Sequence, residues 1–180
     1  AFGPFKGKRF TVGALYAPHL SGDFDGEIME YRLDFRSYKQ VTRRSSLAWR
    51  VATRYNTGDR ENTYGFGGIN QLRGFDFRGA SPVDRGVRVG GTFRFLGTAE
   101  YLFPLTADDM LKGALFVDFG TVEEEITISS ENYRVAPGFG LRINVPALGP
   151  APLSFDFAFP VAKADRDETQ VFSFFLGVGK

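Results

Sequence analysis

The sequence contains no cysteine, one histidine (His19) and one tryptophan (Trp49) in 180 residues. Without cysteine there is no disulfide framework and no thiolate chemistry. A single histidine excludes histidine-rich metal sites and leaves at most one for a catalytic triad. No apolar run approaches the roughly 20 residues of a membrane-spanning helix. The N-terminal stretch AFGPFKGKRF lacks the charged start and apolar core of a signal peptide. Charge of one sign is also missing: 22 basic and 21 acidic residues nearly cancel, which argues against a general polyanion binder. Nucleic acid is therefore not an expected partner.

What the sequence does have is phenylalanine (20) and glycine (22), and a strict alternation. In 29–36, MEYRLDFR, the residues Met29, Tyr31, Leu33 and Phe35 share one face, and Glu30, Arg32, Asp34 and Arg36 share the other. Period two marks a strand. Leu47, Trp49, Val51 and Tyr55 alternate in the same way with Ala48, Arg50, Ala52 and Arg54. The segment 87–103 does so too, with Arg88, Thr92, Arg94, Thr98 and Glu100 on its polar face. Further segments at 9–17, 112–122, 133–145, 153–161 and 171–179 bring the expectation to about eight strands and no helix, in one domain spanning 1–180. Alternation alone does not choose between two all-β architectures. A water-soluble sandwich turns its apolar face inward, whereas an outer-membrane barrel turns it to lipid and lines its lumen with the charges.

Connector lengths favour the second. The links at 42–45, 104–111 and 146–152 are compact, while those at 18–26, 57–86, 123–132 and 162–168 are longer or more acidic. Short turns at one end and long loops at the other suit an up-and-down membrane barrel, with strands of about 9–11 residues long enough to cross when tilted. Arg43 and Arg44 in a short turn, and the Glu123-Glu124-Glu125 run, read as solvated. The acidic run alone is a weak cation signal, and neither a metal nor a cofactor is expected.

The loop 57–86 is too long to be a simple hairpin connection. It carries GGINQLRGFDFRG (67–79), in which one arginine stands between leucine, glycine and phenylalanine. This stretch resembles the sixth extracellular loop of the BamA-type outer-membrane assembly and secretion family, with its V/L-R-G-F/Y signature: Leu72, Arg73, Gly74 and Phe75. The stretch TAEYLFPL (98–105) resembles the strand that follows in that family, and ALFVDFGTV (114–122) the next one. The stretches 136–142, 148–150, 153–155 and 171–177 are similar to its last three strands.

The resemblance implies a transmembrane antiparallel β-barrel, these eight strands being the last half of sixteen, without periplasmic domains. It implies that the loop folds inward and that Arg73 pairs with lumen residues Glu100, Phe116 and Asp118, with Phe75 and Phe77 packing the loop on the wall. It further implies a C-terminal strand signal and seam at Phe172, Phe174, Leu176 and Gly177. The expected function is folding and insertion of outer-membrane proteins through a weak lateral seam, in the bacterial outer membrane. Unfolded client proteins, lipid, and accessory proteins or the first half of the barrel are its expected partners. A dedicated secretion pore, or an anchor for an upstream passenger domain, is the alternative, and no enzymatic activity is expected.

Overall fold

The computed structural model describes residues 6–18, 26–57, 63–127, 130–145 and 152–176. Its strands are β1 (Gly7–Ala17), β2 (Ile28–Gln40), β3 (Ser46–Thr57), β4 (Gly74–Phe75), β5 (Val83–Asp84), β6 (Val87–Arg88), β7 (Phe93–Pro104), β8 (Leu111–Glu123), β9 (Arg134–Ile143), β10 (Leu153–Ala158), β11 (Thr169–Gln170) and β12 (Phe172–Leu176). Eight of them form one antiparallel meander in the order β1-β2-β3-β7-β8-β9-β10-β12. The sheet is open: β1 and β12 are its two edges. His19 and Gly177 lie outside the described residues.

The side-chain distribution is inverted relative to a water-soluble protein. On one face, Phe10, Val12, Tyr31, Trp49, Leu115, Phe139, Leu141 and Phe174 are exposed. Aromatic rings run across the last strands of this face, with centroids 5.4 Å apart for Phe139–Phe157 and 5.1 Å for Phe155–Phe174. On the other face, Asp118, Arg142 and Asp156 are buried. A monomer in water rarely leaves so extended an apolar surface uncovered; hydrocarbon is the solvent that suits it. The alternation in the sequence thus resolves as apolar outward and charged inward.

Local chemistry explains where strands stop. β10 ends at Ala158, just before Pro160, which has no N–H to give a ladder. Pro137 stays within β9, opposite Val117, and its carbonyl accepts the Phe159 N–H at 2.9 Å. One expected strand is divided: 87–103 breaks into β6 and β7 around Gly90 and Gly91. Gly90 has φ +83°, and a Cβ on Gly91 would overlap the Glu123 carbonyl. The connection between barrel strands therefore runs from Thr57 to Phe93, longer than the expected 57–86, and contains the β5–β6 hairpin.

That connection folds onto the charged face. Phe66, Leu72, Phe75 and Ala80 pack with Leu96, Phe116, Val122, Ala136 and Ala158 in a buried apolar cluster. The backbone of β4 pairs with β11, Thr169 opposite Phe75 and Gln170 opposite Gly74. Phe77 does not join the packing, being 76% exposed. Strand alternation would keep Phe77 on the side of Phe75. The chain instead turns after Asp76, with the Gly79 N–H donating to the Asp76 carbonyl at 2.8 Å and Arg78 at φ 58°, and the turn carries the Phe77 ring away from the wall.

Two charged groups that read as solvated are engaged. At the compact end, Arg44 donates to Asp109 Oδ1 (3.0 Å) and to the Thr106 and Ala107 carbonyls, stapling two neighbouring turns. At the other end, Glu123 is buried in β8, accepting from Thr121 Oγ1 (2.6 Å) and Asn132 Nδ2 (2.9 Å). Glu124 and Glu125 are exposed.

Candidate functional site

The loop delivers Arg73 to the buried centre of the charged face, with 2% of its surface exposed. Glycine at 74 makes this possible. Its φ of +91° is one that residues with a Cβ rarely adopt, and a Cβ there would meet Ala136, Ala158 and Pro160 at 3.2 Å. Leu72 and Phe75, fully buried on either side, anchor the turn in the apolar cluster.

The guanidinium meets Asp118 as a two-pronged fork: Nε donates to Oδ2 at 2.7 Å and Nη2 to Oδ1 at 2.8 Å. The Arg73 backbone N–H also donates to Oδ2, at 3.1 Å. Nη1 donates to Glu100 Oε2 at 2.7 Å and to Asp156 Oδ2 at 3.3 Å. The Phe116 ring lies beneath the cation, its centroid 3.4 Å from Cζ, a position in which the ring quadrupole attracts charge. Burial alone would push the guanidinium pKa down. The carboxylates of Asp118, Glu100 and Asp156 outweigh it, holding the group well above its ordinary value. Arg73 is a permanent cation here.

Strand register brings these partners together. Thr98 pairs with Asp118, Glu100 with Phe116, Phe116 with Gly138, and Gly140 with Asp156. All lie on one face of four consecutive strands. Glu100, Phe116 and Asp118 are the residues singled out from the sequence, and the structure sets all three around Arg73.

Two further members were not picked out. Arg142 Nη1 donates to Asp156 Oδ1 at 2.6 Å, and its Nη2 reaches Glu100 Oε2 at 3.2 Å. Three carboxylates and two guanidiniums leave a net −3 + 2 = −1 in the cluster. The signal for Asp156 is its place in LSFDFA, the one charge of the strand, on the inward parity with Ser154 and Ala158. Glycines clear the space: a Cβ on Gly138 would overlap the Phe116 ring, and one on Gly140 would overlap Asp156 Oδ1.

A second buried pair fixes the loop that joins β10 to β12. Arg134 on β9 forks onto Asp167, with Nε–Oδ2 2.9 Å and Nη2–Oδ1 3.0 Å. Asp167 Oδ2 also accepts the Ala164 N–H at 2.8 Å. At the sheet edge, Phe172, Phe174 and Leu176 all point to the apolar face and are about half exposed. Among the described residues no group of three or more metal-ligating side chains converges.

An antiparallel wall with an apolar outside, an ion-paired inside and an inserted arginine loop defines a transmembrane β-barrel protein. The family follows from comparison: the Omp85 superfamily domain matches residues 2–178, and the chain belongs to that family. Its fold is similar to that of BamA from Haemophilus ducreyi lacking POTRA domains 1–3, with a TM-score of 0.79 at 20% identity. The match covers 97% of this chain and 38% of that one, so the chain spans well under half the length of its structural relative. No curated protein matches the sequence. The chain is an Omp85-type outer-membrane β-barrel segment.

Proposed function

We propose that this barrel assists the folding and insertion of outer-membrane proteins, through a lateral seam at its last strand. The supporting observation is the final ladder. β12 pairs with β10 from Leu153↔Leu176 to Phe157↔Phe172 and, among the described residues, has no strand on its other side. A strand bonded on one side presents free backbone donors and acceptors, the template on which another strand adds. The work is physical, with no covalent step: a client strand gains backbone partners that lipid cannot supply. The arginine cluster holds β7 to β10, the strand beside the edge included, in one arrangement while the edge exchanges partners. Unfolded outer-membrane polypeptides, and either accessory subunits or the remaining strands of the barrel, are the partners this reading requires.

The test uses the full-length protein with a photo-crosslinker in place of Phe174, in membranes translocating a stalled outer-membrane client. Adducts between position 174 and a client strand are expected. Adducts confined to one soluble exported substrate, at lumen positions such as Ser173 rather than at 174, would instead favour a dedicated secretion pore. Adducts at neither position would leave the anchor reading.

A further inference from the structure

The near-zero net charge conceals a local imbalance. The loop-bearing face of β1, β2, β3 and the first half of β7 carries Arg9, Arg32, Arg36, Arg50, Arg54 and Arg94, against Glu30 and Asp34 alone. Six cations and two anions leave 6 − 2 = +4. Register sets the cations in rows. Arg32 is opposite Arg54, and Arg54 opposite Arg94; deeper in the sheet, Arg9 is opposite Arg36, and Arg36 opposite Arg50. Like charges placed directly across a ladder destabilise it, and adjacent strands are only about 4.8 Å apart.

The deeper row is partly answered: Asp34 accepts Arg36 through Nε (2.9 Å) and Arg50 through Nη2 (2.7 Å). In the upper row Arg32 takes Glu30 at 2.6 Å. Arg54 and Arg94 form no ion pair among the described residues. Both instead lie against the Tyr64 ring, 5.9 and 5.6 Å from its centroid, and Arg94 Nη1 adds the Gly65 carbonyl at 3.3 Å. Tyr64 is itself held by its bridge to Gly91. The wall around Arg73, by contrast, is compensated to within one charge. A lumen lined this way has one strongly positive side, and clefts with low-dielectric walls focus such a field.

We propose that this arginine wall is an anion site. It draws small inorganic anions of the chloride and phosphate type into the lumen and gives the barrel's conductance a preference for anions, as rings of Arg and Lys do in other pores. The occupant is small because Tyr64 and its loop cover the upper row.

The measurement is the reversal potential of the full-length protein in planar bilayers under a tenfold KCl gradient. Anion preference is expected in the unmodified protein. The double variant Arg54→Gln with Arg94→Gln should lower the anion-to-cation permeability ratio by about threefold or more, with the effect fading at high salt. Arg54→Lys with Arg94→Lys keeps both charges and should keep the ratio; heat-modifiable electrophoretic mobility reports that each variant is folded. Cation preference, a ratio unmoved by the glutamine pair, equal loss in the lysine pair, or the absence of any conductance would each overturn the proposal.

Discussion

Arg73 and Asp118 are joined three times: by two guanidinium N–H groups and by the arginine's own backbone N–H. The carboxylate therefore fixes the path of the loop as well as the side chain. Asp118 is fully buried; removing Arg73 strands its charge without solvent, and removing Asp118 empties the fork of a buried guanidinium that keeps only Glu100 and Asp156. Arg73→Ala and Asp118→Ala should each cost about 3–5 kcal/mol, read from urea-dependent unfolding in detergent or lipid. The double-alanine variant should cost much less than the sum. Additive losses would mean that the two do not act as a unit. The charge-reversed pair Arg73→Asp with Asp118→Arg should recover only part of the loss, because residue 73 would then face Glu100 and Asp156.

Gly138 and Gly140 are placed by the volumes of their neighbours. Gly138→Ala would drive a methyl into the Phe116 ring beneath Arg73, and Gly140→Ala would displace Asp156. Each should destabilise the barrel by about 1–3 kcal/mol. Combining Gly138→Ala with Phe116→Leu should recover a measurable part. If it does not, the clash with the Phe157 carbonyl rather than the ring is the dominant strain.

The buried Arg134–Asp167 pair predicts a local effect. Asp167→Asn removes the charge and one acceptor oxygen of the fork, so amide hydrogen exchange should quicken across 159–170 while β7 and β8 stay protected. Equal acceleration throughout would show that the pair supports the whole sheet.

The apolar face gives a test of solvent. Leu115 and Phe139 are exposed partners on adjacent strands. In lipid, Phe139→Arg should cost about 2–4 kcal/mol if the residue lies near the bilayer midplane. The same change on a water-facing surface would stay within about 0.5 kcal/mol of neutral. Refolding yields into vesicles of defined thickness distinguish the two.

How much of this was legible depended on whether a signal was local. The strands could be read because alternation is written residue by residue, and Arg73, Glu100, Phe116 and Asp118 because each stands inside a contiguous motif. Arg142 and Asp156 escaped notice: what makes them partners is a register between β9 and β10, and register is a property of pairs of strands. The break at Gly90–Gly91 was missed for a similar reason, since the parity of Val87 and Val89 continues smoothly into β7 although the backbone does not. The lumen-facing arginines were individually visible in the alternating segments. Their arrangement in rows was not, because nothing in a single strand says which arginine of the next will stand beside it.

The docking of the arginine loop also has a consequence in time. Its partners lie progressively farther along the chain: Glu100 is 27 positions from Arg73, Asp118 is 45 and Asp156 is 83. The strip that pairs with β4 comes later still, at Thr169–Gln170. Contacts of such separation are slow to form. A chain emerging from its N-terminal end must hold this loop unsettled until nearly the last strand has arrived. Seating Arg73 is then the event that registers the sheet as whole, and a chain that stalls before β10 would carry a loop with two of its three carboxylates and no backbone partner. Premature termination should thus leave a protease-sensitive site around residue 73, an internal mark of how far assembly had progressed.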